Sequence, residues 1–172
     1  RVFSSYTSLL FITGSGIILF SKVITKLLVS EAFYPSWQYI PFLVMATVFT
    51  CIVNFLGSIY MVEKKSMLSL ATTAVGAVTN VILNFLLIPR FGVNGAAFAT
   101  FISYFVVFLL RAVDTRRFVR MRYSELRLAI NMILLLLQSF VMILELPYWL
   151  SILLTVACSF VVGLFMERFV IR

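Results

Sequence analysis

Residues Tyr39–Val62, YIPFLVMATVFTCIVNFLGSIYMV, carry no charged side chain. A helix crossing the hydrocarbon core of a bilayer needs about 20 mostly apolar residues, and this stretch supplies them. Pro41 stands near its start, where a missing backbone N–H matters least. Five further stretches of the same kind flank it. They are Ser4–Ser21, extending to Leu28 if the amphipathic part after Lys22 continues it, then Met67–Pro89, Val93–Val113, Leu128–Leu146 and Tyr148–Met166. None alternates as a barrel strand would. The reading is all-α: a polytopic membrane helix bundle with six transmembrane helices.

The composition agrees. Of the 172 residues 63% are hydrophobic and 12% charged, against about 45–50% and 25% in soluble domains. A water-soluble enzyme of this make-up would display large apolar patches, and disorder demands low hydrophobicity. Histidine is absent, and Cys51 and Cys158 form neither a disulfide framework nor a metal spacing. No nucleophile–base pair, phosphate loop or metal cluster is visible, so neither an enzyme nor a cofactor or metal is expected.

The net charge of +8 rests on 14 Lys and Arg. Arg1, Lys64, Lys65, Arg111, Arg116, Arg117, Arg120, Arg122, Arg127, Arg168 and Arg172 fall on one side of the six spans. Lys22, Lys26 and Arg90 fall on the other. The positive-inside rule then puts both ends and the basic loop in the cytoplasm. That loop is expected to lie on anionic lipid, with no role in nucleic-acid binding. Trp37 and Trp149, beside Tyr34, Tyr39 and Tyr148, are expected as interfacial anchors on the outer side.

Small and weakly polar residues recur every four positions: Ala46, Thr50, Asn54 and Ser58; Thr72, Gly76, Asn80 and Asn84; Gly95, Ala99 and Ser103; Ser151, Thr155, Ser159 and Gly163. Such stripes usually glue helices together, and Gly76, Gly92, Gly95, Ala99 and Ser103 are read as packing positions. Amides at membrane depth need partners or water, so Asn54, Asn80 and Asn84 are candidates to line a cleft. Lys22 and Lys26 share a face. They either snorkel to headgroups or form a cationic rim for an anionic substrate. Every Asp and Glu lies at a span edge or in a loop, so no buried carboxylate offers a proton or sodium site.

The run NVILNFLLIPRFGVNGAAFATFISY, 80–104, resembles the pattern N-x-x-L-N-x-x-L-I-P-x-F-G-x-x-G-A-A-x-A-T-x-x-S-Y of bacterial polysaccharide exporters. Trp37-Gln-Tyr-Ile-Pro-Phe-Leu, Phe55-Leu-Gly-Ser-Ile-Tyr and Lys64-Lys65 extend the likeness. Physically, Pro89 should end one helix, Phe91-Gly92 should make a short turn, and Gly95-Ala96-Ala97 should open the next with a bare surface. The resemblance, to the C-terminal region of polysaccharide biosynthesis proteins, implies part of the second lobe of a MATE-like two-lobed exporter. It divides the chain into second-lobe helices (1–113), a basic cytoplasmic loop (114–127) and two additional helices (128–172). An N-terminal lobe of the same chain would be the missing partner.

The implied function is a flippase in the bacterial cytoplasmic membrane. It would move an undecaprenyl-pyrophosphate-linked oligosaccharide, such as an O-antigen or capsule repeat unit, by alternating access. A cation-coupled drug or metabolite antiporter of the same fold, or a non-transporting membrane subunit, are the alternatives.

Overall fold

The computed structural model describes residues 2–118, 125–144, 147, 149–150 and 152–157. Every regular element among them is helical: α1 (Val2–Leu28), a 3-10 segment (Glu31–Gln38), α2 (Ile40–Val62), α3 (Ser66–Thr115) and α4 (Glu125–Ile143). Three helices, Ser5–Leu28, Ile40–Val62 and Ser66–Thr115, are long and apolar enough to cross a membrane. The chain is a helical membrane protein by that measure.

α1 mixes small polar side chains into its buried face, beside Phe11 and Ile18. On α1 the buried positions include Thr7, Ser8, Ser15, Ser21 and Thr25, while Leu9, Phe20, Leu27 and Leu28 face outward. In lipid, large apolar side chains gain nothing by hiding, and small polar ones need helical partners. The sequence therefore places the small residues inward.

The 50-residue α3 is two arms, not one rod. At about 1.5 Å per residue a straight helix of that length would run about 75 Å, far beyond a ~30 Å hydrocarbon core. Gly92 breaks it with φ 55° and ψ −133°, a conformation open essentially to glycine alone. The arms, 66–91 and 93–115, then fold back on each other. A Cβ at Gly95 would stand 2.5 Å from the Leu87 carbonyl oxygen, and one at Gly76 would collide with Val107. Farther along, Arg111 reaches Ser69, Thr72 and Thr73. These pairs all centre on the turn at 91–92, as an antiparallel hairpin requires.

Pro89 does not end the helix as expected; it sits inside the first arm, three residues before the break. Pro89 has no N–H to offer the carbonyl four residues back, so the helical ladder is weakened just before the reversal.

The described residues fall into two compact units: one drawn from 1–44 and 123–172, the other Met45–Arg122. In the second, Phe49 of α2 packs against Phe101, Phe105 and Phe108 of the second arm, with ring centroids 5.7, 5.3 and 5.4 Å away. Offset and edge-on aromatic pairs of this kind add stabilisation beyond area burial. In the first unit, α4 packs along α1. Gln138 donates to the Ser15 carbonyl (2.9 Å) and to Thr155 Oγ1 (3.0 Å), and accepts from Ser15 Oγ (2.7 Å).

Several boundaries differ from expectation. The second arm runs to Thr115 and α4 starts at Glu125, so both ends of the stretch expected as loop, 114–127, are helical. The apolar part of α4, Leu128–Ile143, is shorter than the expected fifth span. Of the expected sixth, only 149–150 and 152–157 are described, as helix; Tyr148, Ser151, Ser159 and Gly163 lie outside the described residues.

Trp37, expected as an interfacial anchor, is 4% exposed and so is covered by protein. Its ring instead receives the Lys22 ammonium, 4.2 Å from the centroid. Trp149 remains exposed.

Candidate functional site

The second unit contains a cleft of about 530 Å³ between α2 and the two arms of α3. Each element contributes one face. Thr50, Val53 and Asn54 come from α2; Thr73, Gly76, Ala77 and Asn80 from the first arm; Thr100, Ser103, Tyr104, Val107 and Arg111 from the second. The four-residue repeats explain the geometry. Each step drifts about 40° around an ideal helix, so each stripe slants across its helix, and Asn54 and Asn80 are the amides whose place along it meets the cleft.

The lining is poised unequally for donors and acceptors. Thr50, Thr100 and Ser103 donate their hydroxyl protons to backbone carbonyls four residues back: Ala46 at 2.8 Å, Ala96 at 2.9 Å and Ala99 at 2.7 Å. Their lone pairs remain to accept hydrogen bonds. Asn80 Oδ1 accepts from Asn84 Nδ2 at 2.9 Å, which leaves the Asn80 amide as a donor. Such a surface can solvate a ligand rich in hydroxyl groups.

Asn84 does not reach the cleft. It lines a separate concavity with Val81, Phe85, Ile88 and Pro89, and its Oδ1 is buried with no hydrogen-bond partner among the described residues. Its visible part is to orient Asn80. Lys22 belongs to the other unit, where Trp37 takes its charge, and Lys26 is exposed on α1. Of the five candidates, Asn54 and Asn80 are the pair that one cleft of the second unit brings together.

No protein-family model, curated protein or solved structure matches this chain.

Of the packing positions, Gly76 and Gly95 are the two at close approaches between the arms, and Ala99 and Ser103 are buried on the second arm. Gly92 differs. A Cβ there would meet nothing within 4 Å, so its role is the turn and not packing.

Arg111 was expected at the cytoplasmic end of the span Val93–Val113. It is 4% exposed and one of the cleft's lining residues. A signal for it existed: Gly95, Ala99, Ser103, Val107, Arg111 and Thr115 form one four-residue series, all buried. Beside it, Tyr60 donates to Asp114 Oδ2 at 2.9 Å. Gln138 was also missed, although it stands among apolar neighbours as a lone amide.

Proposed function

We propose that the chain belongs to a membrane carrier that shelters the polar head of a lipid-linked oligosaccharide while its hydrocarbon tail stays in the bilayer. The reading taken furthest is an exporter portion that moves an undecaprenyl-pyrophosphate-linked repeat unit between leaflets of a bacterial cytoplasmic membrane. The arginine-rich connections would lie on the cytoplasmic side. Movement would come from rocking of helical lobes around the hydrated cleft, with no covalent chemistry.

One observation carries this reading: a cleft of about 530 Å³ edged by Asn54, Asn80, Thr50, Thr100, Ser103 and Tyr104 within a group of apolar helices. Polar groups left without partners at membrane depth are unfavourable. A hydroxyl-rich ligand supplies partners of both kinds, and the exporter-like run 80–104 furnishes much of the lining. The lining residues include no Asp or Glu, so a cation-coupled antiporter would find no carboxylate in this cleft to hold its ion.

The test is movement of a fluorescent lipid-linked oligosaccharide across proteoliposomes holding the full chain. The expected result is flipping that falls roughly tenfold or more in Asn54→Leu/Asn80→Leu, about 1.4 kcal/mol or more of lost ligand stabilisation. Undiminished flipping in that variant, or none in the unaltered protein, overturns the reading.

A further inference from the structure

The cleft ends on a fixed positive charge whose hydrogen bonds all go to neutral groups. Arg111 donates from Nε to Thr72 Oγ1 (3.0 Å) and from Nη1 to the Val53 carbonyl (2.8 Å). Its Nη2 donates to Thr73 Oγ1 (2.9 Å) and to the Ser69 carbonyl and hydroxyl oxygens (3.2 and 3.3 Å). A guanidinium has five N–H donors. One Nη1–H therefore has no acceptor among the described residues. The nearest acidic residue along the chain, Asp114, is engaged by the Tyr60 hydroxyl. The space is reserved for the group, since a Cβ on Gly57 would stand 2.5 Å from Nη1.

Burying a charge is unfavourable unless a counter-charge meets it. Neutral carbonyls and hydroxyls orient the guanidinium without cancelling it, which leaves an oriented cation on the wall of a cleft. We propose that Arg111 is the oxyanion-binding residue of the cleft and that its ligand group is a phosphate or diphosphate. The planar fork of arginine matches phosphate oxygens, and such charge-assisted bonds are about twice as strong as neutral ones. Hydroxyl acceptors give way to a phosphate oxygen more readily than a paired carboxylate would. This inference rests on the cleft being a ligand site, and it assigns the anionic end of that ligand to Arg111 in place of Lys22 and Lys26.

The phosphate could be a lipid headgroup or a free ion, and one binding experiment separates them. The full chain, purified in detergent, is titrated by calorimetry with inorganic pyrophosphate, farnesyl diphosphate and farnesol. Binding of farnesyl diphosphate but not pyrophosphate assigns a lipid headgroup; comparable binding of both assigns the free anion. Farnesol should not compete.

Arg111→Gln should weaken diphosphate binding about tenfold or more, equivalent to about 1.4 kcal/mol. Arg111→Lys, which keeps the charge and loses the fork, should fall between the two. Gly57→Ala offers a second handle that leaves the charge in place but displaces Nη1; it should weaken diphosphate binding severalfold. Melting temperatures without ligand identify any variant that has lost its fold, and if Arg111→Gln is one of them, Arg111→Lys and Gly57→Ala carry the test, unchanged affinity in both overturning the proposal. Failure of the unaltered chain to bind either diphosphate overturns the proposal, as does equal affinity in a folded Arg111→Gln. Flipping that depends on Asn54 and Asn80 but not on Arg111 sinks this inference alone. Diphosphate binding that depends on Arg111 without any flipping sinks the exporter reading alone.

Discussion

Gly95 lies against the backbone of Leu87: a Cβ at position 95 would stand 2.5 Å from the Leu87 carbonyl oxygen. Backbone cannot rotate aside as a side chain can. Gly95→Ala should therefore force the arms of α3 apart, at roughly 1–3 kcal/mol of stability. Gly76→Ala collides with a side-chain methyl of Val107, with backbone no nearer than 3.8 Å, and should be milder. Thermal unfolding in detergent compares the two; an equal or larger loss in Gly76→Ala would contradict the hairpin packing.

Gly92 and Gly16 make a matched pair, since a Cβ on either meets nothing within 4 Å. They differ in backbone. Gly92 has φ 55°, so Gly92→Ala should destabilise by about 1–3 kcal/mol through strain alone. Gly16 is within α1, and Gly16→Ala should stabilise by about 0.5–1 kcal/mol through helix propensity. Opposite shifts in melting temperature are the expected outcome.

Lys64, two residues past α2, has a conformation that favours glycine, with φ 54°. The Lys65 amide donates back to the Tyr60 carbonyl at 2.8 Å, closing a Schellman-type cap. Lys64→Gly should raise stability by about 0.4–1 kcal/mol by relieving that strain. A lowered melting temperature would show that the lysine side chain contributes more than its backbone forfeits.

Gln138 joins Ser15 and Thr155 in the other unit. Gln138→Leu strands the Ser15 hydroxyl in a fully buried position. A double-mutant cycle with Ser15→Ala should return a coupling of about 0.6–2 kcal/mol, the range of hydrogen bonds between membrane helices. Zero coupling would mean that the two side chains find other partners.

Water access distinguishes the amides. In a background with Cys51 and Cys158 replaced by serine, Asn54→Cys and Asn80→Cys should react with a membrane-impermeant thiol reagent. Phe85→Cys, at a position 82% exposed on an apolar face, should not react from water. Protection of both asparagine positions would make the cleft a dry packing seam.

Much of this was legible along the chain because it is local. Runs of apolar residues form helices in lipid whatever they touch, since only a helix or a closed barrel satisfies its backbone there. The break near Gly92 was legible too, through Phe91-Gly92, although Pro89 drew the boundary three residues early. Asn84 shows where the reading ran out. It shares the stripe of Asn80, yet the angular drift of that stripe carries it to another concavity. Trp37 shows the same limit, since nothing beside it in sequence announces the Lys22 that covers its ring.

The sequence by itself determined an all-helical membrane chain, its long apolar helices and the glycine that folds the longest one back. Those properties follow from each residue's own solvation and backbone freedom. Only tertiary structure decided that Arg111 lies buried among Val53, Ser69, Thr72 and Thr73. An arginine at a helix end can reach outward to water or inward to acceptors. The choice was made by two helical segments, α2 and the first arm of α3, that bring carbonyl and hydroxyl oxygens to one point beside the second arm.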